Sequence, residues 1–91
     1  MESEVLGEII ATLKGNLEVA VEGDDQNVEA AATHAVRFLI ATTRLSRFQL
    51  NAKFLGKSEK AAVKELVERS VDVIPQLAGE GDAVLKSFGC A

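Results

Sequence analysis

The amino-acid sequence predicts an all-α fold, a small antiparallel bundle of three long helices followed by a short or kinked C-terminal one. Apolar residues recur three and four apart over three separate stretches, while no alternating pattern of the kind a half-buried strand needs is sustained anywhere. The composition agrees. With 47% hydrophobic residues, 4 Phe and neither Trp nor Tyr, the core must be aliphatic, which fills the space between helices without polar tips to satisfy. Ninety-one residues suffice for one modest core, so 1–91 is read as a single domain.

The first helix is expected from the stripe Val5, Leu6, Ile9, Ile10, Leu13, Leu17, Ala20 and Val21, with Glu2, Glu4, Glu8, Lys14, Glu18 and Glu22 largely away from it. Gly7 and Gly15 weaken it by about 1 kcal/mol each relative to Ala, which calls for close packing or local fraying there. It should end near Gly23, with Asp24, Asp25 and Asn27 forming a turn and the next N-cap.

The second helix is expected over Asn27 to Leu55. A helical wheel gathers Val28, Ala31, Ala32, Ala35, Phe38, Leu39, Thr42, Leu45 and Leu50 on one side, and Glu29, Thr33, Arg37, Arg44, Arg47 and Asn51 opposite. Ile40 and Phe48 fall on the arginine side and suggest a second apolar face, within the bundle or against a partner.

The third helix is expected to start at Ser58 as N-cap, with Glu59 in its first turn, and to bury Val63, Leu66, Val67, Ser70, Val73, Ile74 and Leu77. Pro75 removes a backbone donor and crowds the turn before it, so an end or kink is placed near Ile74. Beyond the Gly79-Glu80-Gly81 stretch, a short helix is expected from about Asp82 to Phe88.

Function is sought in four features. The first is Gly56-Lys57-Ser58, the tail of a phosphate-binding loop. That loop requires a leading Gly, where this chain has Asn51, and a strand feeding it, where the preceding residues have helical periodicity. The structural use is that Gly56 takes the left-handed conformation closing the second helix, Lys57 favours that helix's C-terminal dipole, and Ser58 caps the third.

The second is the only histidine, His34, with Arg37 one turn later. The pair resembles the H-x-x-K-G of histidine-phosphotransfer domains and the H-E-x-R of histidine-kinase dimerisation helices. That resemblance implies a phospho-acceptor His34 with Arg37 balancing the incoming charge. The chain departs from both patterns, with Phe38 in place of the Gly and Ala35 in place of the acid. The competing expectation is a histidine at the edge of the core.

The third is charge. The net charge is −4, yet residues 1–29 hold eight acids against Lys14 alone, and residues 30–58 hold Arg37, Arg44, Arg47, Lys53 and Lys57 with no acid. The arginine row either lies against the acidic first helix or forms a docking surface, Arg37, Ile40, Arg44, Arg47 and Phe48, for an acidic partner. Nucleic acid is the weaker alternative, since the chain is acidic overall and few amide or aromatic side chains are interleaved with the bases.

The fourth is Cys90, which as a lone cysteine excludes an internal disulfide and a zinc site built on Cys pairs. The acidic N-terminus and the lack of an apolar run of about eighteen residues point to a cytoplasmic, soluble protein. No catalytic constellation, cofactor or metal site is expected. The function so read is a non-catalytic protein-protein interaction or oligomerisation module, with a homodimer as the expected assembly covering Ile40 and Phe48.

Overall fold

The computed structural model describes residues 2–23, 27–45 and 55–90. Over these the chain forms α1 (Glu2–Glu22), α2 (Val28–Thr43), α3 (Lys57–Val73) and α4 (Ala78–Ser87), with a single 3-10 turn, Pro75–Leu77, leading into α4. The all-α class expected from the periodicity is what the chain adopts, with no strand among the described residues.

Side-chain pairs fix the helix directions. Gly7, Lys14 and Glu18 of α1 meet Glu59, Glu65 and Arg69 of α3 in the same order, so α1 and α3 run parallel. Gly81 of α4 lies against Val67 and Val71, and Gly89 against Lys60, so α4 runs antiparallel to α3. Helices α2 and α3 each pack on the other three, and α1 and α4 take opposite sides of that central pair. One apolar cluster joins all four: Leu6, Ile10, Leu13 and Leu17 from α1, Ala32, Ala35, Val36 and Leu39 from α2, Val63, Leu66 and Val67 from α3, Leu77 from the 3-10 turn, and Val84 and Phe88 at the C-terminal end. Ser70, the single buried polar residue among the described residues, donates its hydroxyl to the Leu66 carbonyl at 2.8 Å, so its hydrogen-bonding group is not stranded.

Several expectations need correction. Helix α2 ends at Thr43, not Leu55, and its last turn tightens as the Arg44 and Leu45 amides donate to Ala41 and Thr42 at 3.1 Å. Leu55 is buried but non-helical, and the Leu50 expectation lies outside the described residues. The buried side of α2 is Ala32, Ala35, Val36 and Leu39, while Phe38 and Leu45 face outward and Ile40 packs partly into the core. On α1, Val5 and Val21 are likewise exposed. Helix α3 is capped by Gly56 in an extended conformation (φ −78°, ψ 175°), neither left-handed nor preceded by a described helical turn, and Ser58 lies inside the helix.

The C-terminal correction has a steric cause. Glycines 79 and 81 do not break the chain but lie within α4, which starts at Ala78. Gly81 is buried, and a Cβ there would stand 2.8 Å from Val67 Cγ1 and 3.3 Å from Val71 Cγ2, so glycine is what lets α3 and α4 approach. The helix then closes in a Schellman motif: Gly89 has φ 72°, its amide donates to Lys86, and the Cys90 amide donates to Leu85 at 2.8 Å. Cys90 is thereby packed partly against the core.

The glycines give opposite expected results. Gly81→Val should lower stability by about 2–3 kcal/mol through overpacking. Gly15→Ala, where nothing lies within 4 Å, should raise it by about 1 kcal/mol through helix propensity. Urea midpoints of the two variants check both, and a silent Gly81→Val would contradict the close α3–α4 approach.

Candidate interaction surface

Helix α1 has α3 on one flank and α2 on the other. Lys14 and Glu18 mark the α3 flank, where Lys14 meets Glu65 at 2.7 Å and Arg69 joins Glu18 at 3.3 Å and Glu65 at 3.1 Å. The Lys14 ammonium, by hydrogen bond and charge, holds the Glu65 carboxyl below its usual range. This network is exposed, so it aligns the two helices more than it stabilises them.

Away from that flank run Val5, Ile9, Thr12, Asn16 and Val19, four, three, four and three residues apart, with no charged member. This spacing keeps a row on one side of a helix. Val5 is 54% and Val19 71% exposed. On α2, Arg37 reaches toward Glu80 of α4 at 3.9 Å and so marks the α4 flank. The outward row on its other side is His34, Phe38 and Ala41, spaced four and three, with Leu45 following just past the Arg44 C-cap. Phe38 is 40% and Leu45 63% exposed, and the Phe38 ring packs on His34 with centroids 5.7 Å apart and planes tilted by 54°.

Because α1 and α2 are adjacent and antiparallel, the two rows border the outside of the same seam. Four of the five exposed large hydrophobics among the described residues, Val5, Val19, Phe38 and Leu45, fall on this face; Val21 is the fifth. Its edges carry opposite charges, Glu8 and Glu22 beyond the α1 row and Arg37 and Arg44 beyond the α2 row, all exposed.

The residues singled out in the sequence divide accordingly. Arg37 and Arg44 are on the surface as expected, but Arg37 faces Glu80 of α4 and not the acidic first helix, whose Glu18 is taken by Arg69. Ile40 is partly buried, packed against the core. Arg47 and Phe48 lie outside the described residues. His34 is exposed, not a core-edge residue, with Phe38 covering one side of its ring. Phe38 and Leu45, expected in the buried stripe, are exposed; the clue in the sequence is Val36, an apolar residue outside that stripe, which is fully buried.

The Gly56-Lys57-Ser58 corner is occupied by the chain's own anion. The Glu59 carboxyl is held below its usual range by its own backbone amide, by the Ser58 hydroxyl, which donates to it at 3.0 Å, and by the Gly56 amide. A Cβ on Gly56 would stand 2.7 Å from Glu59 Oε2. The amides that would wrap a phosphate are thus turned onto a carboxylate. Nearby, Gly7, Ile10, Ala11, Ser58 and Ala62, together with the charged Glu8, Lys14 and Glu59, line an open groove of about 590 Å³ between α1 and α3, so Glu8 borders this groove as well as the α1 row. At the other chemical candidate, burial pushes the Cys90 thiol up, against the pull of Lys60 and Lys64, which is the reverse of what a nucleophilic cysteine needs.

The geometry can be set beside known proteins. The family model described as the potential Monad-binding region of RPAP3 matches residues 1–60. No curated protein and no solved structure matches the chain. The matched span takes in α1, α2 and both rows of the seam, and stops in the first turn of α3. With residues 1–60 of 91 under that match, the chain belongs to the family of the RPAP3 potential Monad-binding region.

Proposed function

We propose that this chain is a non-catalytic protein-interaction module that docks its partner on the α1–α2 face, and that the partner is Monad. The observation that carries the reading is the coincidence of two things. The uncharged face that collects Val5, Val19, Phe38 and Leu45 lies wholly inside the span matched by a family described by its binding. Exposed apolar side chains gathered in rows, with charges only at the edges, are the anatomy of a protein interface. A second copy of the chain is the competing occupant. Of the two residues a homodimer is expected to cover, Ile40 is partly buried against the chain's own core and Phe48 lies outside the described residues.

The test is a titration of purified Monad against the 91-residue chain by calorimetry. Phe38→Asp and Val19→Asp should each weaken binding tenfold or more, about 1.4 kcal/mol. Both sites are exposed, so far-UV circular dichroism should not change. Lys86→Asp, on the outer side of α4, should bind as the parent does. Failure of the parent chain to bind Monad would sink the proposal, as would wild-type affinity in both face variants.

A further inference from the structure

We infer that the element seated in the α1–α2 face is a single amphipathic α-helix of the partner, carrying acidic residues on one flank and basic residues on the other. This rests on the protein-binding reading above and names the partner's chemistry. A helical bundle whose described residues include no strand offers no sheet edge, so a partner segment cannot be held here by main-chain ladder bonds. What the face offers is side chains in two parallel rows at helical spacing, and a helix laid in the seam presents its own residues at three- and four-residue intervals to both rows at once. The α1 row runs from Val5 to Val19, about 21 Å at 1.5 Å per residue, which a helix of some sixteen residues covers.

The edges choose the flanks. Arg37 and Arg44 stand along the α2 side, and Glu8 and Glu22 along the α1 side. A helix acidic on both flanks would meet like charge at Glu8 and Glu22, and one basic on both would meet it at Arg37 and Arg44. A helix with its acids over α2 and its bases over α1 is complementary along its whole length, and this also fixes its direction.

The experiment uses the full chain and three fluorescein-labelled eighteen-residue helical peptides. Each has leucines at alternating three- and four-residue spacing, with Glu on one flank and Lys on the other, Glu on both, or Lys on both. By anisotropy at low salt, the mixed peptide should bind at least tenfold more tightly than either uniform one. Arg37→Glu with Arg44→Glu should transfer the preference to the all-Lys peptide, Phe38→Asp should abolish binding of all three, and 1 M salt should erase the preference. Equal binding of the three peptides, or binding of none, overturns the inference. So does a dimer in sedimentation equilibrium that Phe38→Asp dissociates, because a second copy then holds the face. Monad binding that depends on Phe38 without any peptide preference defeats the helix inference alone, whereas an absence of Monad binding defeats the reading beneath it.

Discussion

Phe88→Ala should cost about 3–5 kcal/mol, which for a chain of this size is a large part of the roughly 5–14 kcal/mol that holds it folded. Phe88 is 1% exposed and heads the fully buried side chains by volume. It stands at the C-cap of α4, its amide bonded to the Val84 carbonyl at 3.0 Å, with the left-handed Gly89 turning the chain immediately after it. Truncation therefore removes the ring's buried area, leaves a cavity in the cluster shared by all four helices, and frees the end that pins α4 to α3. Urea denaturation followed by circular dichroism should show the midpoint falling at little-changed slope, and the melting temperature should drop by more than about 10 °C. Phe88→Leu keeps most of the volume and should cost less than about 1.5 kcal/mol. A loss below about 1 kcal/mol in the Ala variant would mean that the C-terminal end is not built into the core.

The helices that the sequence located best are those whose faces differ most in chemistry. In α1 and α3, Leu, Ile and Val alternate with Glu, Lys and Arg, so the phase of the buried stripe is set by many residues at once, and Leu6, Ile10, Leu13, Leu17, Val63, Leu66 and Val67 are buried as expected. Helix α2 is another matter. Its sixteen residues include five Ala and three Thr, and its only charged side chains are Glu29 and Arg37, so the wheel can be turned by tens of degrees with little penalty. Packing against three neighbours decides the phase: small residues and Val36 go where the helices come close, and the bulk of Phe38 is left outside. The exposure of Phe38 and Leu45 is hidden in the sequence for the same reason, since the wheel places both in the buried stripe. At Gly81 the low helix propensity of glycine is overridden by packing against Val67 and Val71, fourteen and ten residues earlier on a different helix, which propensity does not register. The arginines at the edge, by contrast, were legible because charge is exposed whichever way the helix turns.

The segment 1–60 should not fold by itself, although the family match ends there. Cutting after Lys60 leaves α1, α2 and one turn of α3, and removes Val63, Leu66, Val67, Leu77, Val84 and Phe88, the residues that cover the inner sides of the first two helices. Ala32, Val36 and Leu39, now buried by α3 and α4 as well as by α1, would face water. A hairpin of two helices buries too little apolar surface to offset the ordering of its backbone. The expected result for the fragment is less than half the mean residue ellipticity of the full chain at 222 nm and no cooperative thermal transition. Binding should follow the fold. The proposed docking face is carried by α1, α2 and Leu45 just past α2, yet its alignment depends on the two helices behind it, so the fragment should bind Monad at least tenfold more weakly than residues 1–91. A cooperative transition in the fragment near that of the full chain would show instead that α3 and α4 are an addition to a self-sufficient pair, and the proposal that residues 1–91 form one cooperative unit would fall with it.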